Sequence, residues 1–82
     1  MMKAHVYVTP KPSVLDPQGQ TIHNALRKIG YGQVDGVRQG KYFVLSLADG
    51  VPAADARTQV EKIARDVLAN PVIEEFTFRI EE

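Results

Sequence analysis

Along this chain the period of the apolar residues changes from two to 3.6 and back again, and that change dictates which elements it can form. Residues 3–9, Lys-Ala-His-Val-Tyr-Val-Thr, alternate Ala4, Val6 and Val8 with His5, Tyr7 and Thr9, the spacing of a half-buried strand. Pro10 and Pro12 stop it, because proline donates nothing to a ladder. Asp16-Pro17 then opens a helix, with Asp16 as the cap and Pro17 at a first position that needs no N–H. Ile22, Ala25, Leu26 and Ile29 fall at i, i+3, i+4 and i+7 and form one apolar stripe. Gln20, His23, Asn24, Arg27 and Lys28 face away, and Gly30 supplies a left-handed stop.

Residues 34–38 read as a weak strand, interrupted by Asp35 and Gly36, and residues 41–47 as a strong one. Gln39-Gly40 between them reads as a tight hairpin turn in which Gly40 takes positive φ. A loop, Ala48-Asp49-Gly50-Val51-Pro52, leads to a second helix predicted over residues 53–69. Its inner face holds Ala53, Ala56, Val60, Ile63, Ala64, Val67 and Leu68, and Asn70-Pro71 ends it. Residues 72–80 form the last strand, with Val72, Phe76, Phe78 and Ile80 on one face and Glu74 the charged exception.

The order β-α-β-β-α-β predicts an α+β fold, a ferredoxin-like plait with an antiparallel sheet and two helices on one face. Residues 1–82 are expected to make a single domain. The other sheet face is left open, and His5, Tyr7, Tyr42 or Phe43, and part of the last strand compete for it.

Composition narrows what such a domain does. Its 82 residues carry ten basic and ten acidic side chains and are 44% apolar, which excludes a disordered chain and leaves room for one core. Cysteine is absent, so there is no disulfide, no thiolate nucleophile and no Cys-based zinc site. No apolar run approaches the ~20 residues that span a bilayer. Met-Met-Lys-Ala-His shows no signal-peptide apolar region, and a cytoplasmic protein is expected. A domain this small buries only about 60–65% of its unfolded surface, and oligomerisation is a common remedy. Zero net charge removes an electrostatic barrier to association.

Chemistry is sparse. His5 and His23 have no histidine at i+4 and no carboxylate cluster at ligand spacing, and read as surface or edge side chains. Asp16 reads as a cap rather than a catalytic acid. Glu74 and Glu75 point to opposite faces of a strand and do not act on one bond. There is no Gly-x-Gly-x-x-Gly or Walker-type loop, and Ser13 and Ser46 lack a nucleophile elbow. No catalytic, cofactor-binding or metal residue is therefore expected. Gly40-Lys41-Tyr42-Phe43-Val44 faintly echoes an RNA-recognition motif, but the charge balance argues against nucleic acid. A stand-alone regulatory or binding domain on the same fold is the alternative. A free-standing acylphosphatase-like hydrolase would want a phosphate-cradling arginine after the first strand, where this chain has Lys11 between prolines.

Three separated motifs carry a resemblance. Val6-Tyr7-Val8-Thr9 with Lys11-Pro12-Ser13-Val14-Leu15-Asp16-Pro17-Gln18-Gly19 resembles the opening of the PurS-type small subunit of phosphoribosylformylglycinamidine (FGAM) synthase. Val37-Arg38-Gln39-Gly40-Lys41-Tyr42 resembles that family's hairpin, and Leu68-Ala69-Asn70-Pro71-Val72-Ile73-Glu74 its closing motif. Pro10 and Ser13 depart from the usual pattern. The resemblance implies a non-catalytic subunit of a glutamine-dependent carbon–nitrogen ligase in purine biosynthesis. It implies as partners a large synthetase subunit (PurL type) that uses ATP and Mg, a glutaminase subunit (PurQ type), and further copies of this chain in a dimer or dimer of dimers. It implies no membrane partner and no cofactor in this chain. Bridging of the two enzymes and support of ammonia transfer are the expected roles. Lys11, Arg38 and Lys41 are the candidate partner contacts, because loops and hairpin ends are where scaffolds present them.

Overall fold

A computed structural model describes residues 2–82. Strand β1 (Lys3–Pro10) lies between β2 (Lys41–Ser46) and β3 (Glu74–Glu81), antiparallel to both, giving the order β2-β1-β3. Helix α1 (Pro17–Lys28) joins β1 to β2, and α2 (Ala53–Ile63) joins β2 to β3.

The alternation in β1 becomes two faces. Ala4 lies opposite Leu45 and Ile80, Val6 opposite Phe43 and Phe78, and Val8 opposite Phe76. These residues meet Val60, Ala64 and Ala69 in the core. Val6, Val8 and Val60 are fully buried, each contributing about 1.5–3 kcal/mol. The opposite face carries His5, Tyr7, Tyr42, Thr77, Arg79 and Glu81. Tyr42 therefore takes the open face and Phe43 the core face.

The antiparallel α+β layout is as read from the sequence, but its second half-hairpin is not. Residues 34–38 lie outside the sheet. The backbone of residues 34–39 serves α1 instead: the Val34 carbonyl accepts from His23 Nε2 at 2.8 Å, and the Gln39 N–H donates to Asp16 Oδ2 at 2.7 Å. Gly40 consequently makes no positive-φ turn; Gly30 and Gly50 are the glycines with positive φ. What Gly40 permits is close approach to β1.

The ends of α1 follow the sequence closely. Asp16 accepts from the Gly19 N–H at 3.0 Å, and Pro17 occupies the first turn. At the other end Tyr31 N–H donates to Leu26 O and Gly30 N–H to Arg27 O, with Gly30 at φ 104°. That pair of bonds is a Schellman stop.

The helices differ in what they cover. α2 buries Ala56 and Val60 against the sheet. α1 does not lie on the sheet of its own chain, and Ile22, Ile29 and Tyr31 stay exposed. Together with the returning segment 31–40, α1 forms a projecting arm. The molecule measures 51 × 26 × 14 Å, with a radius of gyration of 16.2 Å where a compact chain of this length has about 12 Å.

The second helix does not run as an α-helix to Ala69. Residues Ala64–Leu68 form a π-helical turn, closed by Ala69 N–H to Ala64 O at 2.8 Å. The extra residue in that turn rotates the following side chains. Val67 is turned out to solvent, against the reading of its stripe, and Ala69 is turned in. The last strand begins at Glu74, so Val72 lies before it and is exposed.

Candidate functional site

Lys11, Arg38 and Lys41 come together at the end of the sheet where β1 stops. Lys11 follows Pro10, and its N–H donates to Ile73 O at 2.9 Å, tying the β1–α1 loop to the entry of β3. The Arg38 guanidinium donates to three carbonyls, Lys11 O at 2.8 Å, Val14 O at 3.1 Å and Pro10 O at 3.3 Å. A planar, always-charged fork suits such a set of acceptors. Thr9, Pro10, Pro12, Arg38 and Glu75 line an open cleft beside it. Lys41 Nζ stands 3.4 Å from Glu74 Oε2.

Asp16 is the joint between arm and sheet. It is buried and accepts from both Gly19 and Gln39 backbone N–H groups. Those bonds, the Gln39 bond first, hold its carboxyl below the ordinary carboxylate range. Gly19 fits there because it has no side chain: a Cβ would stand 2.4 Å from the Val37 carbonyl oxygen. Glu74 is held low in the same way, first by the Asn70 N–H, which it accepts at 2.7 Å, and then by Lys41.

The open sheet face holds a second cluster. His5 is buried, in contrast to its reading as a surface or edge residue. Its Nδ1 lies 2.5 Å from the Tyr42 hydroxyl on β2, and its Nε2 lies 2.7 Å from Glu81 Oε1 on β3. Tyr42 stacks on Tyr7 at 5.1 Å, and Arg79 reaches Tyr7. The His5 hydrogen bond is the main cause holding the Glu81 carboxyl below its ordinary value. Alternation placed His5 on a face; the strand order and register that bring β2 and β3 to either side of it were not in the local pattern. Among the described residues, no three His, Cys, Asp or Glu side chains are grouped to hold a metal ion, and no helix is long and apolar enough to cross a membrane.

The arm is the third feature. Its stripe, Ile22, Ala25, Leu26 and Ile29, is exposed or half-exposed along its length. On the core face of the sheet, Phe43, Leu45, Phe76, Phe78 and Ile80 are likewise only half-buried, because α2 alone does not cover them.

Comparison with known proteins bears on these surfaces. The family model PurS, described as phosphoribosylformylglycinamidine (FGAM) synthase, matches residues 3–82. The chain is 40% identical over 82 residues to the phosphoribosylformylglycinamidine synthase subunit PurS of Bacillus subtilis, covering 100% of this chain and 95% of that relative. It is 43% identical over 75 residues to the subunit of that name from Synechocystis sp., covering 92% of this chain and 74% of the other. The crystal structure of Bacillus subtilis PurS superposes with a TM-score of 0.87 over 100% of both chains, at 40% identity. A chain in the structure of PurLQS from Thermotoga maritima superposes with a TM-score of 0.85 at 29% identity, over 99% of both chains.

Proposed function

The chain belongs to the PurS family of FGAM synthase, and from that membership we propose that it is the small, non-catalytic subunit of this glutamine-dependent ligase in cytoplasmic purine biosynthesis. In this reading a PurQ-type glutaminase releases ammonia from glutamine. A PurL-type synthetase uses ATP and Mg to activate the formamide oxygen of formylglycinamide ribonucleotide, and ammonia displaces it to give the amidine, ADP and phosphate. The small subunit bridges the two and helps enclose the route between them. The chemical need is plain, since ammonium has no lone pair to attack with, and a water-excluding interface keeps ammonia neutral and local.

The observation that carries this reading is the arm. Its exposed stripe and the half-buried core face of the sheet are two apolar surfaces on one small chain, and both need covering. A second copy supplies each to the other: the α1 stripe of one protomer seats against the uncovered sheet face of its partner, beside the unpaired outer edge of β2. The resulting dimer, or dimer of dimers, presents the Lys11–Arg38–Lys41 end to the larger subunits.

Reconstitution tests it. The cognate synthetase and glutaminase are mixed with and without this chain, and glutamine-dependent amidine formation is followed. Turnover from glutamine should need the chain, whereas turnover from added ammonia should not. Equal glutamine-dependent rates in its absence would overturn the bridging role.

A further inference from the structure

We propose that His5 is a proton-controlled switch on the open sheet face, in which protonation of the ring reverses the Tyr42 hydroxyl from donor to acceptor. The inference stands apart from the bridging role and rests on hydrogen-bond chemistry alone. An ionised carboxylate only accepts. Glu81, whose carboxyl is held ionised to lower pH than usual, lies 2.7 Å from His5 Nε2, so that nitrogen carries a hydrogen in both charge states of the ring. In the neutral ring Nδ1 is then a bare lone pair. The Tyr42 oxygen lies 2.5 Å from it, and the phenol must be the donor.

Protonation puts a hydrogen on Nδ1, aimed at the same oxygen. Tyr42 then accepts, and its own hydrogen turns outward. The side chain is free to do this, because Tyr42 is 56% exposed. The open face thus changes from presenting an oxygen lone pair to presenting an O–H donor, without movement of the strands. A partner surface bearing carbonyl or carboxylate oxygens at this point is favoured by the protonated form.

The charged and titratable groups around the ring come from all three strands. Lys3 and Tyr7 lie on β1, Tyr42 on β2, and Arg79 and Glu81 on β3.

The test uses the full chain with ¹⁵N-labelled histidine and ¹³Cζ-labelled tyrosine, titrated from about pH 8 to about pH 5. Neutral His5 should be the Nε2–H tautomer, and the Tyr42 Cζ resonance should shift with the same midpoint as the His5 nitrogens. In His5→Gln that Cζ shift should be lost. Tyr42→Phe keeps the Glu81 partner and should retain the Nε2–H tautomer, which serves if the glutamine variant does not fold. An Nδ1–H tautomer in the neutral ring, or a Tyr42 Cζ resonance that stays flat through the His5 titration, overturns the proposal.

Discussion

A Cβ placed on Gly40 would stand 2.3 Å from the carbonyl oxygen of Val8 and 2.8 Å from Thr9 Cγ2. The chain enters β2 pressed against the backbone of β1, and only glycine allows that approach. Backbone yields less readily than a flexible side chain. Gly40→Ala should therefore lower the free energy of unfolding by about 1–3 kcal/mol, read from the midpoint of a urea curve with unchanged slope.

Gly19→Ala sets two effects against each other. Alanine for glycine inside a helix is worth about 1 kcal/mol in favour of folding. The new Cβ would meet the Val37 carbonyl at 2.4 Å and Asp16 Oδ2 at 2.6 Å. The clash includes backbone and disturbs the Asp16 joint, so we expect net destabilisation. A thermal midpoint above that of the parent chain would show that the arm can shift to make room.

The arm makes a sharper prediction. If α1 were free in solution, Ile22→Asp at a 41% exposed position would change stability by no more than about 0.5 kcal/mol. If the stripe is buried by a second copy, each protomer loses about 1.5–3 kcal/mol of burial, about 3–6 kcal/mol over the two, and the dimer should dissociate at least about 100-fold more readily. Sedimentation over a concentration series distinguishes the two. An Ile22→Asp chain that associates like the parent would remove the stripe from the interface.

Much of this was legible in the sequence. The period-two runs located β1, β2 and β3, and Asp16, Pro17 and Gly30 marked the ends of α1 correctly. The stripe on α1 was legible as apolar, but periodicity says only that a face will be covered and not by which chain. The weak strand at 34–38 failed because Asp35 and Gly36 break its alternation, and α1 engages the backbone of this segment at Val34 through His23 and just after it at Gln39 through Asp16. The π turn escaped because one added residue leaves no mark in a run of alanines and charges. The His5 cluster escaped because it is assembled across three strands whose order and register are set by the whole chain.

Lys41 separates stability from recognition. Its side chain is 52% exposed and its pairing with Glu74 is worth at most about 1 kcal/mol. Lys41→Met, which keeps the aliphatic stem, should leave the unfolding curve nearly unchanged while weakening association with the larger subunits on a sizing column. An unaltered elution profile of the mixture would exclude Lys41 from that contact.

Acid should loosen the fold through three carboxylates. Asp16, Glu74 and Glu81 are all held below their ordinary values in the folded chain. The unfolded chain takes up protons at those ordinary values, 3.8 for Asp and 4.5 for Glu. As pH falls through this window the unfolded chain binds more protons and gains population. Stability should thus be complete above about pH 5 and decline below it. Asp16→Asn, with one oxygen for two N–H donors, should melt several degrees lower at neutral pH and lose less on acidification. An acid limb identical to that of the parent would mean that Asp16 contributes nothing to it.

The central strand is the first to be synthesised, and its two neighbours arrive much later. Lys3 faces Glu81 in the register, so the sheet closes only when β3 has been made to its end. On the ribosome β1 must wait with both edges unsatisfied while α1 forms, and with its β3 edge unsatisfied until α2 has been made as well. Recruitment into any larger assembly is then tied to completion of β3, and trimming a few residues from β3 would strip one flank of the strand on which the whole sheet is hung.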